Sequence, residues 1–168
     1  MKKSIAFAAV VALTVLIANS GFGQVSANQT VNLTVNSVQK IAITGSAINL
    51  TITTGTAGAD TLTPVTDNST TYSITHNSST ALRITANLDQ ALATGYSLRI
   101  NLNPGSGHGT SAGTVDISNA TSSSAVAVVT GIPKGADANR GITYSFYALS
   151  SVGTLASTQR TVTLTLTN

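Results

Sequence analysis

Aliphatic side chains recur at every second position along most of this chain: Val31, Leu33, Val35, then Ile48, Leu50, Ile52, and later Val162, Leu164, Leu166, with Thr, Ser and Asn in most alternate places. A strand turns successive side chains to opposite faces, so each such stretch makes a ribbon with one apolar and one wet side. Ribbons of that kind must pair and stack to hide their apolar faces, which specifies an all-β body.

Alternation and turn punctuation mark ten strands: Gln29 to Val35, Val38 to Thr44, Ile48 to Thr53, Thr71 to Thr75, Leu82 to Asn87, Ser97 to Leu102, Thr114 to Ser118, Ala125 to Val129, Ile142 to Ala148 and Arg160 to Thr167. Turn-forming clusters separate them at Gly55 to Asp60, Asp67 to Ser69, Asn77 to Ser79, Asn103 to Gly109 and Pro133 to Gly141. Asp89 to Gly95 has room for a short helical turn. Strands at this spacing, with no sustained helical period, predict a two-sheet antiparallel β-sandwich of about 8 to 10 short strands.

The first residues read as an address. Lys2 and Lys3 precede a run from Ile5 to Ala18 that is apolar or small except at Thr14, and small residues follow. That is the layout of a secretory signal peptide, with cleavage after Ala27 preferred and Gly23 the other fitting point. The run is shorter than the ~20 apolar residues a membrane span needs, and no later segment is long and apolar enough. Residues 1–27 are therefore expected to be removed, leaving residues 28–168 as a single exported domain that does not span the membrane. With no cysteine anywhere, the chain has neither disulfide staples nor a lipoprotein attachment point. Its stability must come from core and ladder, and about 140 residues suffice to bury roughly two-thirds of the unfolded surface.

Without Lys2 and Lys3 the remaining six Lys and Arg face five Asp and no Glu, a near-neutral balance. Lys40, Arg83, Arg99, Lys134, Arg140 and Arg160 stand singly, whereas a nucleic-acid surface needs them clustered. Nucleic acid is not an implied partner. Charged residues make up only 8% of the chain, so little electrostatic repulsion opposes self-association. Threonine suits the exposed face of a strand and explains the polar positions; it does not explain the scarcity of charge that usually guards strand edges.

Catalytic motifs do not withstand their context. Gly109 to Gly113 matches G-x-S-x-G around Ser111, yet no helical pattern follows, and both histidines, His76 and His108, come before the serine. A flexible hairpin turn is the expectation. Gly105, Gly107 and Gly109 lack the Gly-Lys-Ser or Gly-Lys-Thr of a phosphate loop. The histidines have no cysteines to complete a zinc set and are expected to be solvated. The five aspartates lie far apart in sequence, which argues against a paired-carboxylate acid-base site. No catalytic residue and no required cofactor are implied. Calcium is the one metal with candidate oxygen ligands, at Asp67 beside Asn68 and at Asp137 beside Asn139, where the competing reading is turn stabilisation and a pairing of Asp137 with Lys134 or Arg140. Sequons at Asn28, Asn32, Asn49, Asn68, Asn77 and Asn119 are what a chain rich in Asn, Ser and Thr produces by chance.

A glycan-binding sandwich displays flat rings. This chain has no Trp, and strand parity turns Tyr72, Tyr96, Tyr144 and Phe146 inward. Tyr147 alone points outward and is the candidate ligand contact.

The segment from Asn28 to Val38, with Val31, Leu33 and Val35 alternating, and the last strand, with Val162, Leu164 and Leu166, carry the stronger functional signal. In layout the chain resembles the bacterial fimbrial subunits that polymerise by donor-strand exchange, in which an N-terminal alternating extension completes the Ig-like sandwich of the next subunit. The likeness covers the order of parts over most of residues 28–168, without the disulfide and penultimate tyrosine of many chaperone-usher members. It implies an Ig-like sandwich, a secreted structural subunit of a surface filament, and self-assembly through Val31, Leu33, Val35, Val162, Leu164 and Leu166. The alternative within the same chain is that residues 28–38 begin its own first strand. The alternative function is an adhesive or carbohydrate-binding module with a glycan partner.

Overall fold

The computed structural model describes residues 26–168; residues 1–25 of the expected signal segment lie outside them, with the cleavage point after Gly23, whereas the preferred point after Ala27 falls within the exposed start of the described chain. The described residues divide at Val35, and residues 36–168 form one compact unit. The compact unit is a sandwich of two antiparallel sheets, as the alternation requires.

Its strands are β1 (Gln39–Thr44), β2 (Val65–His76), β3 (Leu82–Leu88), β4 (Tyr96–Leu102), β5 (Thr110–Ser111), β6 (Val115–Asp116), β7 (Val126–Ile132), β8 (Gly135–Ala148) and β9 (Val162–Thr167). One sheet runs β1-β2-β8-β4-β6 and the other β5-β7-β3-β9. After β2, every connection crosses from one sheet to the other, so the inward faces of both sheets are filled by chain segments adjacent in sequence. Tyr72 and Ile74 of β2, Leu98, Ile100 and Leu102 of β4, and Ile142 and Tyr144 of β8 meet Ile84, Ala86 and Leu88 of β3, Val129 and Ile132 of β7, and Leu164 of β9 in one core. Full burial of a side chain of this size stabilises by about 1.5 to 3 kcal/mol.

Several expected boundaries move. Asp67 to Ser69 is no interruption between strands but a bulge inside β2, where the register with β8 jumps between Asp67 and Thr70. Of the expected turn Pro133 to Gly141, only Pro133 and Lys134 stay outside a strand; Gly135 onward is the first half of β8, which absorbs its extra residue at Asn139, held at φ 56° and donating its amide to Ser73 Oγ at 3.0 Å. Asparagine tolerates that left-handed conformation better than most residues, and a bulge uses the same local chemistry as a turn. The glycine-rich loop contributes β5, paired with Thr130 and Val129 of β7, where only a turn was expected. Asp89 to Gly95 forms bends and a turn without helix, and a 3-10 turn lies instead at Ser150–Val152.

Two expected strands are absent. Gln29 to Val35 has no ladder and is exposed throughout. Ile48 to Thr53 is also unpaired, although its burial still alternates: Ile48, Leu50 and Ile52 are half-buried and the residues between them exposed. Alternation fixes which side chains turn inward; a ladder also needs a backbone partner. Among the described residues no helix is long and apolar enough to cross a membrane.

Candidate functional site

The N-terminal arm is exposed along its whole described length and belongs to no strand. Val31, Leu33 and Val35 are 67%, 88% and 87% exposed. Residues 26–39 carry no charge, so nothing on the arm opposes burial against an apolar surface. The order of the compact unit begins where Asn77 grips the chain. The Val38 amide donates to Asn77 Oδ1 at 2.7 Å, and Asn77 Nδ2 donates to the Asn36 carbonyl at 2.9 Å. The sequence singled out Asn77 only as a turn residue and a sequon; that it follows a strand end directly is the signal that marks it as a backbone clamp.

The second group of expected self-assembly residues is placed differently. Leu164 is buried, and Val162 and Leu166 pack half-buried against the core while β9 pairs with β3. Their side chains complete this chain's own sandwich.

The polar candidates are engaged in structural roles. Asp137, with no exposed side-chain surface, accepts the Gly105 amide at 2.9 Å and forms an ion pair with Arg140 Nε. Burial works against its charge, but the Gly105 amide, the Arg140 guanidinium and the nearby His108 together hold its carboxyl below the usual range. Of the two expected partners, Arg140 is the one used, so both carboxylate oxygens have protein donors. Asp67 accepts the amide and hydroxyl of Ser69 at 3.0 and 2.7 Å, which lowers its pKa and stabilises the β2 bulge. Asn139 serves the β8 bulge. Among the described residues no three His, Asp, Glu or Cys side chains converge as a metal site would require.

The expected solvated histidines are not both solvated. His76 is only 3% exposed, and neither ring nitrogen has a hydrogen-bond partner among the described residues. It continues the inward parity of Tyr72 and Ile74, because β2 runs one residue past its expected end. His108 is half-buried in the glycine loop. Ser111 sits in β5 with its hydroxyl directed to Asn101 Oδ1 at 3.2 Å and accepting the Gly113 amide at 3.1 Å. Strand, turn and strand surround it, so the hydrolase-like motif lacks its helix.

Tyr147 does lie on the outer face of its sheet, half-buried, with Arg99 Cζ 4.5 Å from its ring centroid. Arg99 also approaches Asp116 at 3.8 Å, whose carboxylate accepts the Ser97 and Ser118 hydroxyls at 2.6 and 2.5 Å. Burial opposes the Asp116 charge, and the two hydroxyls, the Ser118 amide and Arg99 outweigh it, so its pKa is lowered. A cation already covers one face of this ring. Beside this cluster is a shallow depression of about 280 Å³ lined by Asp116, Asn119, Ala120, Ser124 and Val126, with no convergent catalytic groups. Compared with protein-family models, curated proteins and solved structures, the chain matches none.

Proposed function

We propose that this protein is an exported, non-enzymatic structural subunit that self-associates by β-strand addition through the arm at residues 28–38, in the manner of a filament subunit. The observation that carries this reading is the exposure of Val31, Leu33 and Val35 at 67%, 88% and 87%, on a segment with strand periodicity and no strand partner. An added strand gains ladder hydrogen bonds while its inward side chains fill slots in the acceptor. Three aliphatics at about 1.5 to 3 kcal/mol each, together with a ladder, make a durable joint. The scarcity of charge removes a barrier to side-by-side packing. The glycan-binding alternative has less support, since the one outward tyrosine is faced by Arg99.

The test is negative-stain microscopy and size-exclusion chromatography of residues 28–168 at high concentration, with Leu33→Asp as the control. Fibres or heat-sensitive oligomers that disappear in Leu33→Asp, with the circular dichroism of the fold retained, are the expected result. A monodisperse monomer at every concentration would defeat the proposal.

A further inference from the structure

Five residues of the arm repeat, position for position in kind, a segment that lies against the core. Val31-Asn32-Leu33-Thr34-Val35 and Ile48-Asn49-Leu50-Thr51-Ile52 share Asn-Leu-Thr and carry a β-branched aliphatic at each end. Neither contains a charge. Their situations differ. Leu33 is 88% exposed, whereas Ile48 and Leu50 pack on the core and Asn49 and Thr51 face outward.

The inner segment is also held in an unusual way. Residues 46–53 belong to no strand, and among the described residues no backbone–backbone hydrogen bond reaches them. A run that half-buries every second side chain but leaves its backbone unpaired is retained by packing alone. It fills a seat without being laced into it.

We propose that Ile48 to Ile52 is a resident placeholder for the arm of a second copy, with Val31, Leu33 and Val35 of one molecule taking the places of Ile48, Leu50 and Ile52 in the next. This rests on the reading that the arm mediates self-association, and adds to it the acceptor seat and a control on assembly. The resident has two advantages. Isoleucine fills each end seat with one more methylene than valine, and attachment to the same chain gives the resident a high effective concentration. Exchange therefore favours the closed monomer when dilute and the linked form when subunits are crowded. The same truncation must then have opposite effects at the two matched leucines: weakening the arm blocks assembly, and weakening the resident promotes it.

The experiment uses residues 28–168 carrying Leu33→Asp, which disables the arm and keeps the seat, titrated with a labelled peptide of residues 28–37. Saturable binding is expected, lost when the peptide itself carries Leu33→Asp. Adding Ile48→Val and Ile52→Val to the protein matches the resident to the arm at its apolar positions and should tighten peptide binding by about tenfold. Leu50→Ala should tighten it further and, with the arm intact, raise the oligomeric fraction. Hydrogen exchange should show residues 31–35 gaining protection on assembly while residues 46–53 gain none. Peptide binding with an affinity indifferent to all three resident substitutions would overturn the placeholder and leave the arm's role standing. No peptide binding, with oligomers that persist in Leu33→Asp, would overturn both.

Discussion

The side chain of Asn77 does the work of a strand for Val38. The Val38 amide donates to Asn77 Oδ1 at 2.7 Å, the Asn77 amide donates to the Val38 carbonyl at 3.1 Å, and Asn77 Nδ2 reaches the Asn36 carbonyl at 2.9 Å. One residue past the end of β2 thus extends the β1 pairing by one position, to Val38, and ties down Asn36, where the compact unit begins.

Asn77→Ala removes two of those three bonds at an exposed site, and about 1 kcal/mol of stability should be lost. The loss is local. Hydrogen exchange at Val38 should accelerate well beyond that at Ile84 in the core, and Asn77→Asp, which keeps the acceptor and loses the donor, should fall between.

Asp137 and Arg140 predict an acid-sensitive fold. The Asp137 carboxyl is held below its ordinary value of 3.8, so its contribution to stability is fully present above that pH and is lost as pH falls through the lower, folded value. Asp137→Asn should cost about 2 kcal/mol at neutral pH and flatten the decline in acid, as urea midpoints across that range would show. Gly105 stands so close to this pair that a methyl group there overlaps the Arg140 guanidinium. Gly105→Ala should therefore destabilise, and its effect combined with Asp137→Asn should be clearly less than additive.

Particular elements show how far sequence reaches. β3 and β4 are found within one residue at each end because their inward positions, Leu82, Ile84 and Ala86, and Leu98, Ile100 and Leu102, alternate without interruption. At Asp67 to Ser69 and at Asn139 the local chemistry was legible and its outcome was not. The same side chains close a turn or support a bulge, and the choice is made by β8 lying beside β2 across some seventy residues of sequence. Ile48, Leu50 and Ile52 show correct sidedness without a ladder, because period-2 patterning is silent on backbone partners. His76 was legible in principle, sharing parity with Tyr72 and Ile74. The Asp137–Arg140 pair was among the named alternatives, while its Gly105 donor comes from a loop that no local pattern places nearby.

Alkali should act through two tyrosines. Burial raises Tyr72 to about 12, with the negative Asp137 adding to the effect and Arg140 opposing it, and burial alone raises Tyr144 to about 12. Both phenols are favoured in the neutral form by the folded state, so their stabilisation is complete below about pH 10 and is lost as pH climbs toward about 12. Phenolate absorbance should show two of the four tyrosines ionising late and together with unfolding. Tyr72→Phe removes a buried hydroxyl that has no partner among the described residues. It should leave neutral stability unchanged or raise it by about 1 kcal/mol, and should shift alkaline unfolding upward.

His76 offers a stabilising substitution. The imidazole is 3% exposed at the end of β2, between Gln39 of β1 and Gly135 of β8, and neither nitrogen meets a partner among the described residues. Leaving such a group unsatisfied costs about 1 to 3 kcal/mol, and an apolar side chain of similar volume relieves that cost. His76→Leu should raise the denaturant midpoint at unchanged slope, by about 1 kcal/mol, whereas His76→Asn, smaller and still polar, should lower it. A loss of stability in His76→Leu would show instead that a bridging water satisfies the ring, and that this end of the sandwich is held by a polar link.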